Sequence, residues 1–147
     1  MTDNKHNNVV IRQALVQYKR GKTAKTLDVV RSPSTASAFL RSILPDNSRE
    51  HLLGLYLDAS HKPIAYSVIS TGTANSAFVH PREVFQPAIM LGACALILAH
   101  NHPSGETKPS NEDIEVTKRL ETAGDLLGIR VLDHLILTDT ECRSVRG

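Results

Sequence analysis

These 147 residues contain no tryptophan, only 4% aromatic side chains and just two cysteines, Cys94 and Cys142. Two cysteines with no Cys-x-x-Cys pair exclude a four-cysteine zinc knuckle, so any metal must be held by imidazole and carboxylate. Cys94 lies inside an apolar run and is expected as a buried free thiol rather than half of a disulfide. No run approaches the ~18 apolar residues of a membrane-spanning helix. The first residues, Met1 to Asn8, lack the apolar centre of a signal peptide, so a cytoplasmic protein with no membrane contact is expected. There is no internal repeat, no low-complexity tract and no His-Glu-x-x-His, and the Pro-Cys-x-x-Cys half of a deaminase site is missing.

Charge of one sign is also scarce. The net charge of +2 is too small to argue for nucleic acid, but it is unevenly placed. Residues 1–31 carry seven Lys/Arg against Asp3 and Asp28, whereas residues 32–147 carry ten against thirteen acidic residues. A basic arm of this kind suits nucleic acid or another acidic surface, or is simply a solvated segment. The chain therefore divides into a basic N-terminal helix and arm, 1–31, and one domain, 32–147, long enough to bury a core.

What is present is concentrated between Cys94 and Asp113. The apolar run Cys94 to Ala99 reads as a buried strand that delivers His100 and His102 to its end. Residues i and i+2 of a strand point to the same side, so both imidazoles can face one point. A loop holding Pro103, Ser104, Gly105 and Pro109 leads to Ser110, the expected cap of a helix that carries Asp113 in its first turn. Two histidines and one carboxylate leave a coordination position open, as in a catalytic zinc site. Ser110-x-x-Asp113 also has the form of a capping box, which needs no metal.

The remaining pattern alternates helix and strand. A helix is expected over 9–19, ended by Gly21, then a short strand over 26–30; Ser32-Pro33-Ser34 reads as the cap of a helix through Phe39, Leu40, Ile43 and Leu44, stopped by Pro45. Strands at 50–58 and 63–69 form a hairpin, 70–76 is a loop, and 77–80 adds an extended piece. A helix follows from Pro81 to Gly92. The next, from Asn111 to Leu127, sets Ile114, Thr117, Leu120, Ala123 and Leu127 on one side. Residues 130–132 and 134–138 are the last extended pieces, leaving a final edge that is incomplete or borrowed from a partner copy. The fold class is α/β, a mixed β-sheet flanked by helices.

His100-Asn101-His102, seven residues, Ser110, two residues, Asp113 resembles the metal motif of the JAMM (MPN-type) metalloproteases. The fuller string His-Asn-His-Pro-Ser-Gly followed by Pro-Ser-x-x-Asp is similar to the RadC branch of that group, as are Val79 to Val84 and Leu132-Asp133-His134. The likeness covers roughly residues 34–147 and implies the MPN-type sandwich. It implies one zinc ion per chain on His100, His102 and Asp113, with an upstream glutamate as general base. Glu50 is the match, and Glu83, also in a matching stretch, is the rival; as a first-turn carboxylate Glu83 is accounted for by the helix dipole. The counterpart of Ser110 in the family steadies an oxyanion. His80 and His134 are taken as packing groups or partners of ligands, not as ligands.

The implied function is a zinc-dependent hydrolase of peptide or isopeptide bonds acting on a protein or peptide. The alternative is a DNA-repair accessory or binding protein, or a metal-dependent nuclease. RadC-like proteins have been associated with DNA repair, and the basic residues 1–31 are the only local support. The helix-hairpin-helix region that longer RadC-like proteins carry is not recognised here, which weakens that alternative.

Overall fold

The structure, a computed structural model, describes residues 11–15, 17, 19, 21, 28–72 and 79–147. Three helices and five strands follow one another as α1 (Pro33–Ile43), β1 (Glu50–Leu57), β2 (Pro63–Gly72), α2 (Pro81–Leu91), β3 (Ala95–Asn101), α3 (Asn111–Leu127), β4 (Arg130–Leu137) and β5 (Cys142–Ser144). The strands lie in one sheet in the order β2-β1-β3-β4-β5. β3 and β4 are parallel, joined by a crossover through α3, and every other pair is antiparallel. The mixed α/β sandwich is thus as expected.

Alternation along the strands divides the core in two. Leu53, Leu55, Leu57, Ile97, Ala99, Leu135 and Leu137 face α1, packing on Leu40 and Ile43. Leu52, Tyr56, Leu96, Leu98 and Val131 face α2 and α3, meeting Phe85, Ala88, Val116 and Leu120. β3 is buried along its whole length, which explains its unbroken apolar sequence. α2 and α3 both end on glycines, Gly92 and Gly128, at positive φ (66° and 70°), where a side chain is strained.

Several expectations are corrected. Residues 11–15, 17 and 19 carry no helix, and Ile11 and Leu15 are exposed. An apolar stripe with no core to cover does not hold so short a helix in water. The strand expected over 26–30 and the piece at 77–80 fall partly outside the described residues. Their described members, 28–30 and 79–80, are not strand. β2 runs on to Gly72, three residues past the expected end, because β1 continues to pair with it.

Cys94 is exposed, not buried: it precedes the strand, and β3 begins only at Ala95. Both cysteines are free thiols. The buried side of α3 is Asp113, Val116, Thr117, Leu120 and Gly124, while Ile114 and Leu127 are exposed. Thr117 and Leu120 are inward as expected, while Asp113 takes an inward position that the apolar pattern assigns to its neighbour Ile114. β4 is one strand through Asp133, and the last edge is closed by the chain's own β5.

Candidate metal centre

The site forms where β3 ends. His100, like Leu98 and Leu96, points to the α2/α3 face, and His102 follows two residues on. Pro103 lacks the N–H that further pairing needs, so the chain turns here. The His102 N–H still donates to the Leu137 carbonyl (3.0 Å), keeping it anchored to β4. Gly105, at φ 84°, bends the loop, and its N–H donates to the His102 carbonyl (3.0 Å). The loop then presents the Glu106 carbonyl to His102 Nδ1 at 2.7 Å.

Helix α3 brings the carboxylate. Ser110 is its N-cap in extended backbone, and the reciprocal capping box is complete. Asp113 N–H donates to Ser110 Oγ (3.0 Å), and Ser110 N–H donates to Asp113 Oδ2 (2.9 Å). The capping box and the site are therefore one device: the box fixes the carboxylate and leaves it facing the imidazoles. Asp113 Oδ1 lies 3.3 Å from His100 Nε2, and Oδ2 lies 3.5 Å from His102 Nε2. The two Nε2 atoms are 2.8 Å apart. One ligand atom from each of His100, His102 and Asp113 falls within 4.8 Å of the others, a group that could hold a metal ion.

The donor set fits a cation. A carbonyl only accepts, so His102 carries its hydrogen on Nδ1, toward Glu106, and the neutral ring presents a bare Nε2 lone pair to the site. Asp113 is acceptor-only as a carboxylate. Burial alone raises the Asp113 carboxyl, but the His100 and His102 imidazoles, which donate to it when protonated, the charge His100 then carries and the Ser110 N–H outweigh it and hold it well below the usual range. The hydrogen bond to Asp113 raises the pKa of His102 against the opposing effect of burial, helped by the Glu106 carbonyl and by the charges of Asp113 and Glu50. Electron-rich atoms packed this closely call for a positive charge between them, a proton or a metal ion.

Around the three groups stands a supporting shell. His134 of β4 is wholly buried, and its Nε2 lies 2.7 Å from His100 Nδ1. Burial holds its pKa well below the ordinary value, with the His100 charge acting in the same direction, so it stays neutral. The His134 ring addresses His100 rather than the three-atom cluster.

Asn101, buried between the two histidines in sequence, points to the opposite face. Its Oδ1 accepts from the His51 N–H (2.7 Å), and its Nδ2 donates to the Arg49 carbonyl (2.9 Å) and to Asn47 Oδ1 (3.0 Å). It thereby ties the entry of β1, where Glu50 stands, to the end of β3. Sequence reasoning missed this bracket because an Asn between two histidines carries no periodic signal.

Glu50 opens β1 and is half-buried. Leu52 pairs with His100, so the antiparallel register carried two residues further sets Glu50 level with His102 on the same face. The influence of its charge on His102 agrees with that placement. Glu83 instead lies exposed in the first turn of α2. Ser110 is exposed at the mouth of the site, and His80 is the N-cap position of α2 with no side-chain cap bond.

A family model described as the RadC-like JAB domain matches residues 30–147. The chain belongs to the RadC-like JAB family. Among curated relatives, a "UPF0758 protein" of Desulforamulus reducens is 46% identical over 84% of this chain and 55% of its own length. Another of Finegoldia magna is 54% identical over 66% of this chain and 44% of its own, and one of Aquifex aeolicus 42% over 91% and 58%. The chain thus spans about half the length of the curated relatives it matches. Membership suggests a metal-dependent hydrolase of the JAMM type, and the His100/His102/Asp113 cluster fits that suggestion. No described helix is long and apolar enough to cross a membrane.

Proposed function

We propose that this domain hydrolyses amide bonds, peptide or isopeptide, with one zinc ion held by His100, His102 and Asp113. The observation that carries the proposal is the convergence of the His100 and His102 Nε2 atoms and the Asp113 carboxylate, 2.8 to 3.5 Å apart, beside a half-buried glutamate. Imidazole and carboxylate in a three-ligand set are the donors of a catalytic zinc centre. A bound zinc ion supplies Lewis acidity, which polarises a carbonyl and makes water nucleophilic near neutral pH.

The chain's own residues do the rest. Glu50 takes a proton from the attacking water and returns it to the leaving amine nitrogen, so that the C–N bond breaks to a neutral amine. The Ser110 hydroxyl caps α3 as an acceptor, which leaves its own hydrogen free to donate to the oxyanion. The two roles of that hydroxyl use different parts of the group. A protein or peptide is the substrate class this chemistry takes. The nucleic-acid alternative rests on residues 1–31, most of which lie outside the described residues, and no observation of the site favours phosphate.

The test is a peptide-library cleavage assay with metal analysis on wild type and Glu50→Gln. Zinc near one per chain in both, with cleavage reduced by about 10²–10⁴-fold in the variant, is expected. Wild-type protein that refuses zinc, or an active Glu50→Gln, refutes the proposal.

A further inference from the structure

A hydrogen-bonded row runs behind the site. Thr117, buried one turn after Asp113 on α3, donates its hydroxyl hydrogen to the Asp113 carbonyl (2.6 Å). The same Oγ1 lies 2.7 Å from His134 Nδ1. A hydroxyl has one hydrogen, and this one is already committed, so toward His134 the oxygen accepts. His134 therefore carries its hydrogen on Nδ1, and its Nε2 is bare. That bare Nε2 lies 2.7 Å from His100 Nδ1, so His100 must donate there. With its hydrogen on Nδ1, His100 keeps an open lone pair on Nε2, the atom facing Asp113 and His102.

We propose that Thr117 and His134 are positioning residues that fix the tautomer of His100, and so set the metal affinity of the site. The inference rests on the metal reading above. Every donor in the row points toward α3, from His100 to His134 to Thr117 to the Asp113 carbonyl. The row thus ties the ligand on β3, through β4, to the backbone of the residue that supplies the carboxylate ligand. Removing the Thr117 hydroxyl takes away the acceptor of His134 Nδ1. The ring then gains by moving its hydrogen to Nε2 and donating to His100 Nδ1. His100 in turn moves its hydrogen to Nε2, where it blocks the lone pair.

Thr117→Val keeps the shape and removes the hydroxyl, and Thr117→Ser restores it. Histidine tautomers are read in the metal-free protein by long-range ¹H–¹⁵N correlation, and zinc affinity by competition with a chromophoric chelator. Wild type should have both His100 and His134 protonated on Nδ1. Thr117→Val should switch both to Nε2 and bind zinc about 10–100-fold more weakly, the usual effect of losing a group that orients a ligand. Thr117→Ser should restore both. His134 with its hydrogen on Nε2 in wild type, or wild-type affinity in Thr117→Val, overturns the inference. The tautomer readout uses no metal. Wild type that shows the expected tautomers yet binds no zinc refutes the hydrolase proposal, and with it the claim on affinity, while the row itself stands.

Discussion

Asp113→Asn separates the two tasks that one carboxylate performs. The asparagine carbonyl can still accept from the Ser110 N–H, now held by Asp113 Oδ2 at 2.9 Å, so the capping box survives in neutral form. The cost to the metal-free fold is about 1 kcal/mol or less, within the range of cap substitutions. The amide nitrogen then takes the place of Oδ1, 3.3 Å from His100 Nε2, and its N–H donates into the lone pair meant for the ion. In wild type, zinc at about 100 times its dissociation constant adds about 2.7 kcal/mol of stability. For a domain of this size that is a rise of about 5–10 °C in Tm. Exchange of a ligand should weaken binding at least as much as an outer partner does, about 100-fold. At the same zinc concentration the gain then falls to about 0.4 kcal/mol, or about 1 °C. Thermal melts with and without zinc, with circular dichroism as the check of folding, read both numbers. An equal zinc shift in the folded Asp113→Asn protein, or none in wild type, refutes the assignment.

The metal-free protein should be most stable near pH 6.5. The raised pKa of His102 gives stability that is complete below the unfolded value, about 6.5, and is lost as pH rises through the folded value. The lowered pKa of buried His134 gives stability present above that value and lost as pH falls toward the folded one. Each limb has a slope of at most about 1.4 kcal/mol per pH unit, and denaturant titrations from pH 5 to 8 that show no maximum contradict the assignment. Gly124→Ala places a Cβ 2.4 Å from the Ile129 carbonyl and 3.2 Å from Phe85. The clash, about 1–3 kcal/mol, outweighs a gain of about 1 kcal/mol in helix propensity, and a higher urea midpoint would show the packing argument wrong. Asn101→Ala removes three hydrogen bonds at the junction of β1 and β3. A loss of about 3 kcal/mol is expected on denaturation, and a loss under 1 kcal/mol would mean that water replaces the bracket.

Much of this protein is written locally. The run Cys94 to Ala99 reads as a buried strand and is one from Ala95 on, and two histidines two residues apart at its end can share a face. Pro81 and Gly92 marked both ends of α2, and Ser110 with Asp113 spelled a capping box that forms as written. Chemistry of that kind is legible because it depends on neighbours along the chain.

What the tertiary structure alone decided depends on residues far apart in sequence. Whether the loop returns Asp113 to the histidines is a matter of how α3 crosses from β3 to β4, which the motif's spacing suggests only through its resemblance to a known family. Glu50 is level with His102 only through the register of β1 on β3. Thr117 and His134 matter only because α3 lies over β4, which turns a helix threonine and a strand histidine into a single proton-ordered row. The apolar stripe over residues 11–15 promised a helix by period, but with Ile11 and Leu15 exposed there is no core to stabilise one. Periodicity states which side a residue can offer, and only packing determines whether anything is there to receive it.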